Sequence, residues 1–136
     1  MKVLVDTNVL IDLLNQGNEW YGWSAAAFKE CIDAHGVVIN SVIYAELAAG
    51  FSSREKLDSA LYAGLERREI PWEAAFLAGQ CFVQYRRRGG HRRSPLPDFF
   101  IGAHAQVAGM ALLTRDAVRY RAYFPKLKLI APGRRR

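Results

Sequence analysis

The most constraining feature of this chain is a recurring pattern: a short apolar run that stops at polar residues, the first two such runs giving way to helical stretches. Lys2-Val3-Leu4-Val5 leads into Asp6-Thr7-Asn8, Val37-Val38-Ile39-Asn40 into Ser41, and the run from Met110 to Thr114 into Arg115-Asp116. Such compact apolar runs, without polar alternation, read as strands covered on both faces. Strands alternating with helices predict an α/β fold, a three-layer sandwich with a mostly parallel central sheet and helices on both faces. In such sheets ligands bind outside the carboxyl ends of the strands, and the returning helices place their N-termini at the same edge.

The remaining elements follow from spacing and punctuation. A helix is expected after Asp6 through Val9, Leu10, Leu13 and Leu14, and another from Asn18 to Ala34 carrying Trp20, Trp23, Ala27, Phe28 and Cys31. Ser41 can cap a helix through Ile43, Glu46 and Leu47 that stops at Gly50, and Ser53 can open one with Leu57, Leu61 and Leu65. Arg68-Glu69-Ile70-Pro71 suits an edge or third strand, and Trp72 to Arg88 a helix. The stretch from Arg86 to Ser94 has nothing apolar to bury and reads as a solvated loop. Leu96-Pro97-Asp98 opens a helix ending near Gly109, because proline suits the first turn and Asp the positive end of the dipole. A last strand lies near Leu127 to Ile130.

At 136 residues the chain is expected to be one domain over 1–131, followed by a basic tail over 132–136 whose Arg134-Arg135-Arg136 should be disordered. No apolar run reaches the roughly 20 residues of a spanning helix, so a cytoplasmic protein without a membrane partner is expected. Cys31 and Cys81 form no CxxC pair and read as core thiols. Charge is unevenly spread: the chain carries +6, with a net −5 over residues 1–73 and +11 over 74–136. The second half holds two acids, Asp98 and Asp116. A basic half is either a solubility feature or a footprint for a polyanion such as nucleic acid.

Topology aims four acids at one rim. Asp6 directly follows the first strand and Asp116 follows Thr114 at the end of a later one, while Glu46 and Asp98 lie early in helices that return from the carboxyl edge. Each has a plain alternative as a helix cap, exposed helix acid or turn residue. Glu46 and Asp98, however, emerge from largely apolar surroundings, where a carboxylate needs a partner. Clustered carboxylates raise one another's pKa unless a cation is supplied, and oxygen donors without His or Cys select a hard ion, Mg²⁺ or Mn²⁺. Such an ion serves phosphoryl chemistry.

The acids sit in four blocks: Val5-Asp6-Thr7-Asn8-Val9-Leu10-Ile11-Asp12-Leu13-Leu14, Tyr44-Ala45-Glu46-Leu47, Pro97-Asp98-Phe99-Phe100-Ile101-Gly102-Ala103-His104-Ala105, and Leu113-Thr114-Arg115-Asp116 with Arg119-Tyr120 and Tyr123-Phe124-Pro125 behind it. In this order and spacing they resemble the PIN-domain ribonucleases, in particular the VapC-type toxins of bacterial toxin-antitoxin pairs. The resemblance implies that Asp6, Glu46, Asp98 and Asp116 are catalytic and metal-binding, supported through hydrogen bonds by Asn8 and Thr114. It further implies Mg²⁺- or Mn²⁺-dependent endonucleolytic cleavage of RNA, a homodimer, and a cognate antitoxin that occludes the site.

Arg86, Arg87, Arg88, Arg92, Arg93 and Arg115 are candidate contacts to RNA phosphates, with a solvated charge run as the alternative. His35, His91 and His104 are read as helix-end punctuation, part of the basic loop, and a residue about 240° round its helix from Asp98. Trp20, Tyr21 and Trp23 suit either the core or a partner groove. A noncatalytic RNA-binding regulator on the same fold would explain the basic half but not four acids on one rim. A receiver-like phosphoacceptor domain would need an acid pair that Val5-Asp6 does not supply. P-loop, GxGxxG and GxSxG patterns are absent.

Overall fold

The structure, a computed structural model, describes residues 1–133. Among these, five strands and seven helices alternate as β1 (Val3–Val5), α1 (Thr7–Leu13), α2 (Tyr21–Ala34), β2 (Val37–Ile39), α3 (Ser41–Ala48), α4 (Arg54–Ala60), β3 (Glu66–Arg67), α5 (Trp72–Arg87), α6 (Pro97–Ala108), β4 (Ala111–Leu113), α7 (Val118–Tyr123) and β5 (Leu129–Ile130). The strands form one sheet in the order β3-β2-β1-β4-β5, with every pairing parallel. Every residue of β1, β2 and β4 is buried, as strands covered on both faces must be. Right-handed crossovers assign α1–α4 to one face and α5–α7 to the other. Helix contacts within each set run α1 to α2 and α3 and α3 to α4 on one face and α5 to α6 to α7 on the other, and α3 also meets α6.

The strand order reverses at β1. Chain leaving β1 moves outward through β2 and β3, then returns on the other side as β4 and β5, so the loops after β1 and β4 diverge and leave a crevice. Val3 pairs with both Val37 and Ala111, which centres β1 in the core. Helix α6 ends on Gly109 in the left-handed region, φ 68°. Gly102 within it lets the Phe124 ring lie where a Cβ would otherwise sit.

Several boundaries differ from the sequence expectation. The third strand is Glu66–Arg67 rather than Arg68 to Pro71: the Arg68 N–H still reaches the Ile39 carbonyl, but Pro71, with no N–H to offer a ladder, caps α5. Helix α4 stops at Ala60, where Leu61 turns extended, although Leu61 and Leu65 still pack on the core. Asn40, not Ser41, caps α3, its side chain accepting the Ile43 N–H at 3.0 Å. Helix α2 begins at Tyr21 rather than Asn18, and α7 had no counterpart in the sequence reading. Arg86 and Arg87 belong to the last turn of α5 rather than to the loop. Cys31 and Cys81 are free and buried. The three terminal arginines lie outside the described residues.

Candidate active site

Asp6 is the first residue past β1, and its N–H continues the ladder by donating to the Leu113 carbonyl at 2.8 Å. The side chain turns into the crevice and is buried, 4% exposed. One oxygen, Oδ1, caps α1 by accepting the Thr7 N–H at 2.7 Å. The other, Oδ2, accepts the hydroxyls of Thr114 at 2.8 Å and Tyr120 at 3.0 Å, and the Asn8 amide at 3.4 Å. Asn8 also donates to the Thr114 hydroxyl at 3.2 Å and accepts the Arg115 N–H at 3.1 Å, so it clips the loop after β1 to the loop after β4.

The other three acids arrive from separate elements. Glu46, exposed on α3, accepts the Thr7 hydroxyl at 2.6 Å. Asp98, in the first turn of α6, accepts the Tyr120 hydroxyl at 3.4 Å and faces the Arg119 guanidinium at 3.3 Å. Asp116 is exposed after β4; its N–H donates to the Thr114 hydroxyl at 3.2 Å and its carboxylate accepts the Val118 N–H at 3.4 Å. Asp6, Asn8, Glu46, Asp98 and Asp116 line one cleft of about 550 Å³, together with Thr7, Arg119, Tyr120 and Tyr123.

Burial, more than any neighbour, raises the Asp6 pKa from 3.8 to about 6; the Asp98 charge adds to the rise, and the bonds from Thr114, Tyr120 and Thr7 oppose it. Burial, followed by the charges of Asp6 and Asp98, drives the Tyr120 hydroxyl well above its ordinary range, so it stays protonated, with its single hydrogen shared between the two carboxylates. No metal cage stands ready-made: among the described residues, no three His, Cys, Asp or Glu side chains are drawn together tightly enough to hold an ion alone. The donor set still suits a hard ion that keeps most of its water. A buried carboxylate that lacks a cationic partner faces a second carboxylate, with further acids within the same cleft and no soft ligand among them.

Sequence reasoning missed Tyr120, Thr7 and Arg119 as members of the cleft. A signal was present for the first: Tyr120 stands directly behind the Leu113-Thr114-Arg115-Asp116 block. Arg115, a candidate RNA contact, instead spends its guanidinium on Asp12, at 2.8 and 3.2 Å, beneath the Trp20 ring. Arg88 stacks on the ring of Tyr123, 4.6 Å from its centroid, which sets that arginine beside the cleft. Arg86 donates to the Arg92 carbonyl at 2.9 Å, and Arg87, Arg92 and Arg93 are exposed. His104 is buried against Asn40 at 3.1 Å, outside the cleft, and burial together with Arg68 lowers its pKa. Trp23 packs against the core.

An all-parallel α/β domain with an acid-lined cleft at its strand-order reversal defines a class of protein. A PIN-domain family profile matches residues 3–125, and the chain belongs to that family. Solved structures share the fold. VapBC2 from Rickettsia felis, bound to a DNA fragment from its promoter, superposes with a TM-score of 0.73 at 20% identity, covering 96% of this chain and 98% of the other. DNA-bound VapBC from Salmonella typhimurium gives 0.70 at 22%, with coverages of 96% and 98%. VapC20 of Mycobacterium tuberculosis, described as a sarcin-ricin loop cleaving toxin, gives 0.63 at 16%, with coverages of 89% and 95%. No curated protein sequence matches the chain. No helix among the described residues is long and apolar enough to cross a membrane.

Proposed function

We propose that the protein is a Mg²⁺- or Mn²⁺-dependent endoribonuclease and the toxin of a toxin-antitoxin pair, restrained by a cognate antitoxin. The observation that carries this reading is the arrival of Asp6, Glu46, Asp98 and Asp116, from four separate elements, in one cleft at the carboxyl edge. The antitoxin is supported by the fold shared with VapBC assemblies.

Asp6, Asp98 and Asp116 would hold the ion, with Glu46 beside them. A bound divalent ion lowers the pKa of water and offsets charge developing on a phosphate. The chain supplies the rest. Thr114 and Tyr120 fix Asp6 by two hydroxyl donors, and Thr7 fixes Glu46 so that its free oxygen can orient the attacking water. Arg119 and Arg88 stand at the cleft as cations for the RNA backbone, and Arg92 and Arg93 extend that surface along the loop.

Asp98→Asn keeps the shape and removes the charge. Cleavage of RNA with Mg²⁺ should fall at least about a hundredfold while circular dichroism stays unchanged. Full residual cleavage would leave the noncatalytic RNA-binding regulator as the better account.

A further inference from the structure

A second cavity opens at the same carboxyl edge as the acid cleft, over the ends of β2 and β3, where Ile39 pairs with Arg67. Its volume, about 360 Å³, falls within the range of ligand pockets, and Tyr44, Arg54, Arg67, Arg68 and Glu69 contribute to its lining. Arg54 opens α4, Arg67 ends β3 and Arg68 follows it. The carboxylates that pair with these arginines lie outside the lining and are shared. Asp58 serves Arg67 at 2.8 Å and Arg54 at 3.8 Å, while Glu66 serves both Arg68 and Lys2. Two cations to one carboxylate leave guanidinium donors uncommitted. The Arg67 guanidinium is also held over the Tyr44 ring, 4.8 Å from its centroid, so its charge is fixed in place.

We propose that this cavity is a second subsite for the RNA and takes a ribonucleotide flanking the one at the acids, with Arg54, Arg67 and Arg68 on its phosphate and Glu69 accepting a ribose hydroxyl. The inference rests on reading the cleft as the place where RNA is cut. Guanidiniums converging from separate elements suit the several oxygens of a phosphate, which forked N–H donors match. Glu69, exposed and in no ion pair among the described residues, would repel a second anion, so the group beside the phosphate must be a donor. The ribose 2′-hydroxyl is such a donor, and it is what separates RNA from DNA. The acid cleft lies over β1 and β4 and this cavity over β2 and β3; with neighbouring strands about 4.8 Å apart, roughly 10 Å separates the two sites along the edge. Helix α3 serves both, presenting Glu46 to the cleft and Tyr44, about 200° round the helix, to the cavity. All three arginines lie in the acidic half of the chain, so the overall charge distribution gives no sign of them.

Binding is read in EDTA, where no cleavage intervenes, by fluorescence anisotropy of a short labelled single-stranded RNA and of DNA with the same sequence. The RNA should bind more tightly. Arg54→Ala combined with Arg67→Ala should weaken RNA binding at least about tenfold and flatten the slope of log affinity against log salt by about 0.7, the share of one phosphate on a single strand. Circular dichroism should stay unchanged, since the two side chains are 75% and 50% exposed. Glu69→Ala should bring the RNA and DNA affinities together. In the wild type, bound RNA should protect Arg54 and Arg67 from phenylglyoxal, as read by mass spectrometry. RNA affinity that the double variant retains, even if its binding of inorganic phosphate is lost, overturns the proposal. So do arginines that RNA leaves unprotected, a test that stands should the double variant fail to fold. An RNA preference that survives Glu69→Ala overturns the hydroxyl contact. Full cleavage by Asp98→Asn would sink the catalytic reading and leave these affinities untouched, so the two readings fail separately.

Discussion

Asp6 and Asp12 stand at opposite ends of α1, and both are buried, yet the protein treats them in opposite ways. Asp12, with no exposure at all, receives a bidentate Arg115 guanidinium, the Ser24 hydroxyl at 2.7 Å and the Asn18 amide at 2.8 Å. Asp6 receives hydroxyls and amides but no cation, and faces Asp98 instead. A buried charge with its own cation is complete, and its work is structural: the Asp12–Arg115 pair ties α1 to the loop that presents Asp116. A buried carboxylate without one is held at a cost, which appears as its pKa of about 6. The difference marks which aspartate has room for a cation from outside.

The largest expected effect breaks the completed pair. Asp12→Ala strands the Arg115 guanidinium and the Ser24 hydroxyl, and should lower stability in urea by about 3 kcal/mol or more. A loss below about 1 kcal/mol would mean that the pair is not what holds the loop.

The next effect has the opposite sense and a defined window. Between pH about 4 and about 6 the folded protein keeps on Asp6 a proton that the unfolded chain has released, so the Asp6 contribution to metal-free stability is fully present below that window and is lost as pH rises through it, by about 3 kcal/mol in full. Urea titrations in EDTA should show this fall, and Asp6→Asn should flatten it. An equally steep curve in the variant would clear Asp6 of the cost.

A cation that relieves the cost must stabilise the folded state. At pH 7.5 and about ten times its dissociation constant, Mg²⁺ should raise the melting temperature by about 5 °C, and by less at pH 5, where Asp6 is largely protonated. No shift at either pH would remove the metal from the reading. The smallest effect concerns the rim: Arg88→Ala should reduce the slope of RNA affinity against salt by about one ion, with cleavage geometry retained.

The convergence of the four acids is legible in the sequence, because it depends on local phase. A strand end and a helix start fix which edge Asp6, Glu46, Asp98 and Asp116 occupy, and a parallel sheet places those edges together. Asn8 and Thr114 entered only through the resemblance, since which hydrogen bonds they make depends on the packing of two separate loops. Boundaries were less so: the apolar period through Leu61 and Leu65 continues although the helix does not, since packing on the core constrains side chains without requiring helical backbone.

By itself, then, the sequence determined the layered α/β architecture and the carboxyl edge at which four acids meet, both of which rest on hydrophobic period and capping chemistry acting over a few residues. Tertiary structure alone decided that Arg115 belongs to Asp12, 103 residues away, that Tyr120 stands between Asp6 and Asp98, and that one face of α5 is left open to water. The physical reason is common to all three. Which charge meets which, and which apolar stripe is covered, depends on where distant elements come to rest, and no local preference carries that information.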